Sequence, residues 1–151
     1  MRRECMKIMV RQADSRDTAI VVQLINEMAT LGNQQSPITE EYVNRYLASP
    51  VSKVLLAEKH GQIVGLLSYS IRPDLYHTAN SCLIEELMVH EGSRGQGAGG
   101  ALLEELFSRL EASRCAEVSL AVMPNNIQAI RFYRRHGLTE EALFLEKHFG
   151  G

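Results

Sequence analysis

The sequence predicts one mixed α/β domain, and three stretches carry that prediction. Lys53 to Arg72 reads as two apolar strands around a Lys59-His60-Gly61-Gln62 turn, the pattern of an antiparallel hairpin. Leu83 to Leu106 runs from an apolar strand through a glycine-rich turn into an amphipathic helix. Glu117 to Gly137 then gives strand, break and helix again. With 151 residues, 45% of them hydrophobic, the chain is long enough for one core and short for two, so residues 1–151 are read as a single domain.

Lys7 to Gln12 is a short β-rich opening, and Asp14 with Asp17 three residues on fits an N-cap with a carboxylate in the first turn. Val21, Val22, Leu24, Ile25, Met28 and Leu31 recur at helical spacing until Gly32 and Asn33 close the helix. Thr39 caps a second helix whose apolar side is Val43, Tyr46 and Leu47, and Ser49-Pro50 stops it. After the hairpin, Pro73 to Ser81 is a polar loop. Cys82 to His90 is a strand apolar on both faces except at Glu85 and Glu86. The helix after the glycines carries Leu102, Leu103, Leu106, Phe107 and Leu110 on one stripe and an i,i+4 pair, Glu105 and Arg109, on the other side. Glu117 to Val122 is the next strand, Asn126 caps a helix through Arg135 that ends at Gly137, and Leu143 to Phe149 reads as a last strand. About six strands in a central mixed sheet, flanked by about four helices, are expected.

A formal charge of −2 gives no general field for nucleic acid or an anionic membrane. No apolar run is long enough for a signal peptide or a membrane span, so a cytoplasmic protein is expected. Cys5, Cys82 and Cys115 are far apart with no CxxC spacing, which points to reduced thiols rather than a disulfide framework or a zinc site. No metal is expected.

Gly95, Gly97, Gly99 and Gly100 stand where a helix starts, so backbone N–H groups there can meet an anion such as a phosphate or pyrophosphate without a Cβ in the way. Gly95-x-Gly97-x-x-Gly100 formally matches the dinucleotide fingerprint. Its context does not, because His90 to Arg94 separate the strand from the first glycine. A nucleotide-hydrolysing P-loop needs Gly-Lys-Ser/Thr, and Gly100-Ala101-Leu102 supplies neither the lysine nor the hydroxyl. A purely structural turn is the third option.

Two motifs decide among these readings. Arg94-x-x-Gly97-x-Gly99, between a strand and a helix, resembles motif A of the GNAT superfamily of N-acetyltransferases. Asn126-x-x-Ala129-Ile130-x-Phe132-Tyr133-x-x-x-Gly137-Leu138 resembles the same superfamily's motif B. The resemblance covers Val54 to about Phe149. It implies a GNAT-like acyl-CoA N-acyltransferase fold with a splayed central sheet, and acetyl-CoA as co-substrate with no metal. The pyrophosphate of coenzyme A would then rest on the backbone of Arg94, Gly95, Gln96, Gly97, Ala98, Gly99 and Gly100. The strand Leu87, Met88, Val89 would run beside the pantetheine arm, with backbone groups of Leu87 and Val89 bonding its amides, and Asn126 would touch that arm or serve only as a helix cap.

The chemistry implied is direct attack of a primary amine on the thioester, needing a base, backbone donors for the oxyanion and an acid for the leaving thiolate. Tyr133 stands where the family often has that acid, the alternative being a core aromatic beside Phe132. Some members carry a base nine residues before the motif arginine, which is Glu85 here. Burial would raise the pKa of Glu85 toward the working pH; Glu86 is its neighbour on the opposite strand face and the second candidate. The acceptor, a small-molecule amine or a peptide amine, would be selected by the first two helices and the loop Pro73 to Ser81. A non-catalytic acyl-CoA-binding or regulatory domain is the alternative. The family usually ends on two strands where Thr139 to Gly151 has room for one, so the acceptor site is either more open or completed in a homodimer.

Overall fold

The structure, a computed structural model, describes residues 7–150; residues 1–6 and 151, Cys5 among them, lie outside it. Five strands form one sheet in chain order: β1 (Met9–Gln12), β2 (Ser52–Lys59), β3 (Gln62–Asp74), β4 (Ala79–Val89) and β5 (Glu117–Leu120). The first three junctions are antiparallel and β4–β5 is parallel. Helices α1 (Thr18–Leu31) and α2 (Glu40–Ala48) precede β2, α3 (Ala98–Ala112) joins β4 to β5, and α4 (Ile127–Arg135) follows β5. The parallel β4–α3–β5 unit makes this a mixed α/β sheet, as the sequence predicts.

Because side chains alternate across a strand, neighbouring residues enter different cores. Leu55, Ala57 and Leu67 pack with Leu102, Leu103 and Leu106 of α3, whereas Val54, Leu56 and Leu66 pack with Val21 and Leu24 of α1 and Val43 of α2. Gly65 permits the α3 contact: a β-carbon there would stand 3.2 Å from the Met88 carbonyl oxygen and 3.3 Å from Leu102 Cδ1.

The local elements form for the reasons read from the residues. His60 and Gly61 both have positive φ, 53° and 74°, in a two-residue turn matched to the twist of the hairpin. Thr39 Oγ1 accepts from the Tyr42 amide at 3.1 Å to cap α2. Asp14 caps a short 3₁₀ turn, Ser15–Asp17, that leads into α1, and the Asp17 carboxylate returns a bond to the Asp14 amide at 2.8 Å. Both Asp17 oxygens also accept from Arg11 of β1 at 2.8 Å, so one buried carboxylate ties the first strand to the first helix. That pairing holds the Asp17 carboxyl below the usual carboxylate range.

Two expectations about the sheet are corrected. The strand expected at Leu143 to Phe149 is not formed: among the described residues, no backbone hydrogen bond ties residues 139–150 to another element. Alternation makes that segment competent for a strand, but a strand exists only with a neighbour to pair with. The sheet therefore has five strands. The strand expected through Val122 also stops at Leu120, where its parallel partner in β4 stops pairing.

Candidate active site

β4 pairs with β5 only from Ser81 to Ile84, so among the described residues Glu85 to Val89 has no neighbour on that side. Here the sheet splays open, leaving a bare strand edge that leads directly into the glycine turn. A bulge lies at the start of the open stretch: Ser68 pairs with Glu86 and Tyr69 with Ile84, which skips Glu85. Glu85 is exposed, with Oε1 accepting from Ser70 Oγ at 3.1 Å. Glu86 is half-buried, and its carboxylate accepts from the Ser68 hydroxyl while its own amide donates to the same oxygen at 3.0 Å. Burial above all pushes the Glu86 carboxyl up; the charge of Glu85 adds to this and the Ser68 bond opposes it. The bulge thus sets the two carboxylates in different surroundings, one wet and one enclosed.

Glu86 and Ser68 lie in a cleft of about 400 Å³ between the sheet and α1–α2. Its walls are mainly apolar, Val21, Ile25, Ile38 and Val43 among them, and Arg45 and Tyr42 stand among its lining residues. The Arg45 guanidinium sits 5.7 Å over the Tyr42 ring, and among the described residues it has no carboxylate partner. The Tyr46 hydroxyl is buried in the same cleft near the Ser68 and Ser52 hydroxyls, in hydrogen-bond geometry with no group among the described residues; burial above all, with Glu86 and Glu85 nearby, pushes it up to about 12, and the two serines oppose this. An enclosed carboxylate beside an unpaired hydroxyl can receive an ammonium or neutral amine. Tyr42 and Tyr46 are residues that the sequence allows in an acceptor pocket; it gives no such sign for Arg45 or Ser68, although a serine inside the apolar run Leu66-Leu67-Ser68-Tyr69 is a signal that a buried polar group needs a partner.

The glycine turn divides into two jobs. Gly95 and Gly97 have φ of 75° and 91°, so glycine is needed there for the backbone to turn. Gly99 and Gly100 are helical, and what faces them is α4: added β-carbons would stand 3.2 Å from Phe132 Cζ and 3.3 Å from His136 Cε1. Gly97 is the N-cap of α3 and among the described residues no side chain caps that helix, so its first N–H groups are left uncapped at the positive end of the dipole. Ala98 is buried beneath them. Arg94 is exposed, and its Nε donates to the Val89 carbonyl at 3.3 Å. Lys59, at the end of β2, donates to Gln96 Oε1 and adds a second cation at the turn that the sequence reading passed over. The preceding 3₁₀ turn, Glu91–Ser93, is clasped by Glu27 of α1, which accepts from the Glu91 amide at 3.0 Å and lies 2.9 Å from His90 Nδ1. Burial opposes the charge on Glu27, but these contacts outweigh it and hold its carboxyl below the usual range.

Leu87 and Val89 lean on the α3 core, and Met88 is buried on the α1–α2 side. Asn126 Oδ1 accepts from the Ala129 amide at 3.2 Å, so it caps α4 and leaves only its amide nitrogen for another partner. Tyr133 is half-buried against the α3 core with its ring 5.4 Å from that of Phe132, and burial pushes its hydroxyl up. A bare helix N-terminus, flanking cations and an open strand edge fit a phosphorylated, amide-bearing arm such as that of acetyl-CoA. Among the described residues there is no His, Cys, Asp and Glu group able to hold a metal ion, and no helix is long and apolar enough to cross a membrane.

Comparison with known proteins agrees with this geometry. The chain is 26% identical over 146 residues to an uncharacterized N-acetyltransferase, YhfO, of Bacillus subtilis, covering 90% of this chain and 93% of that one. It is 30% identical over 131 residues to an aminoalkylphosphonate N-acetyltransferase of Salmonella typhimurium, covering 85% and 82%. An aminoglycoside acetyltransferase from an uncultured soil metagenomic sample shares the fold, with a TM-score of 0.82 and 20% identity over 95% of both chains. The model of the Acetyltransferase (GNAT) family matches residues 20–138, which include the splayed strand, the glycine turn and the Asn126–Leu138 motif, and the chain belongs to that family.

Proposed function

We propose that this protein is an N-acetyltransferase that moves the acetyl group of acetyl-CoA to the primary amine of a small molecule. The observation that carries the proposal is the open edge of β4, which has the bare N-terminus of α3 at one end and the enclosed Glu86 at the other. Acetyl-CoA, when bound, supplies the activated acetyl thioester. Backbone amides of Gly95 to Gly100, with Arg94 and Lys59, hold its phosphates, and the edge at Leu87 and Val89 holds its amide arm.

Glu86, rather than the exposed Glu85 favoured from the sequence, takes the proton from the amine, directly or through a water. Its raised pKa brings it toward that of the group it deprotonates, and its link to Ser68 fixes its direction. Tyr46 offers its free hydroxyl oxygen to a second N–H of the amine. Tyr133 returns a proton to the departing sulfur, and its raised pKa keeps it protonated until that step.

The cleft holds one enclosed carboxylate, Glu86, between apolar walls, and among its lining residues stands the exposed Arg45, which has no carboxylate partner among the described residues. This charge arrangement favours an amine whose far end is anionic over a polycation, in the manner that the aminoalkylphosphonate relative's name describes. Buried Cys82 and the free thiol of Cys115 suit a reducing, cytosolic setting. The test is thiol release from acetyl-CoA with a panel of aminoalkyl phosphonates, amino acids, polyamines, aminoglycosides and peptide N-termini. Tight acetyl-CoA binding with no turnover on any member would instead favour a non-catalytic acyl-CoA-binding role.

A further inference from the structure

The glycine turn is reached through a shorter turn, Glu91–Ser93, and that turn leans on one side chain. Its own backbone bonds stay inside it: the Ser93 amide donates to the His90 carbonyl at 2.9 Å and the Arg94 amide to the Glu91 carbonyl at 3.4 Å. Among the described residues, Glu27 of α1 is the one side chain from another element that bonds residues 90–93. Its Oε1 accepts from the Glu91 amide at 3.0 Å, and both of its oxygens lie 2.9 Å from His90 Nδ1. Directly after this turn come Arg94 and the glycines.

A carboxylate is an unfavourable neighbour for a turn that receives phosphates. Like charges repel, so the charge of Glu27 by itself works against any phosphate that settles on Gly95 to Gly100. Burial opposes that charge as well, yet His90, the Glu91 amide and Arg94 outweigh burial and keep the carboxylate ionised at neutral pH. What Glu27 contributes is therefore an acceptor held at a fixed place.

The helix that carries it adds a second consequence. Val21 and Ile25, on the same 14-residue helix, line the cleft that contains Glu86. One stiff rod thus touches the acceptor cleft along one stretch and the turn before the glycines along another.

We propose that Glu27 is a positioning residue for the co-substrate. Its carboxylate oxygen sets the Glu91–Ser93 turn so that Arg94 and the amides of Gly95 to Gly100 stand ready for the pyrophosphate, and α1 refers that place to the acceptor cleft. A turn already in place loses less freedom when the phosphates bind. The inference rests on the acetyl-CoA reading and adds to it a residue that lies outside both sequence motifs. Glu27 acts through the turn and not on the reacting atoms.

Two substitutions separate reach from charge. Glu27→Asp keeps the charge but draws the oxygen back by one methylene, away from the Glu91 amide. Acetyl-CoA binding in titration calorimetry is expected to weaken about tenfold, through loss of one charge-assisted hydrogen bond. Glu27→Gln gives up the charge but keeps a carbonyl oxygen for that amide, and is expected to bind within about twofold of wild type. S-acetylpantetheine, which lacks the pyrophosphate, is expected to titrate all three proteins alike in nuclear magnetic resonance spectra.

An Asp variant that binds acetyl-CoA like wild type would overturn the role, and so would a Gln variant as weak as the Asp variant. An equal loss for S-acetylpantetheine would overturn it too, because damage of that kind is not confined to the phosphate turn. A wild type that does not bind acetyl-CoA would overturn the acetyl-CoA reading itself, and this inference with it.

Discussion

Phe132 Cζ lies 3.2 Å from where a β-carbon on Gly99 would stand, so the helix that starts at the glycine turn and the helix that carries Tyr133 touch at a residue that can grow only if the Phe132 ring gives way. Gly99→Ala is expected to force α4 off α3 and cost about 1–3 kcal/mol in urea denaturation. It should weaken acetyl-CoA binding in calorimetry as well, since Asn126 and Tyr133 move with α4. Wild-type stability and affinity in that variant would separate the two helices.

Glu86→Gln should lower kcat by about 10²–10⁴-fold and remove the acidic limb of the pH–rate profile, whereas Glu85→Gln should keep both. Stability should move the other way. Because burial raises the folded-state pKa of Glu86, the advantage of its protonated form is present at low pH and is lost as pH rises through that pKa. Glu86→Gln should therefore melt above wild type at pH 8 and level with it near pH 4, as read by calorimetric scans.

Tyr133→Phe tests the proton return to sulfur. A drop in kcat of about 10²-fold with unchanged acetyl-CoA affinity is expected. An unchanged kcat would mean that the ring only packs against Phe132.

Arg45→Ala should raise KM about tenfold for amines with an anionic far end and leave simple diamines unaffected. Equal effects on both would show that Arg45 does not face the substrate.

Asp17→Ala should destabilise the fold by about 3 kcal/mol at pH 7, because it removes together both hydrogen bonds from Arg11 and the acceptor of the Asp14 amide in the capping box. The Asp17 pKa is depressed, so this contribution is present above the unfolded-state pKa and fades as pH falls through the folded one. Chemical denaturation at pH 7 and pH 3 measures the difference.

The sequence by itself determined the helices, the hairpin, the strand–turn–helix around Gly97 and the spacing to Tyr133, because periodicity, caps and left-handed glycines are local and survive in a linear reading. It also carried both family motifs. Only the tertiary structure decided what depends on neighbours. The spacing to Arg94 favours Glu85 over Glu86, but a single bulge opposite Ser68 leaves Glu85 wet and encloses Glu86. Gly95 and Gly97 serve the turn while Gly99 and Gly100 serve α4, a division that no spacing rule contains. Residues 143–149 alternate as a strand should, yet pairing is a property of two segments, and no second segment pairs with them among the described residues.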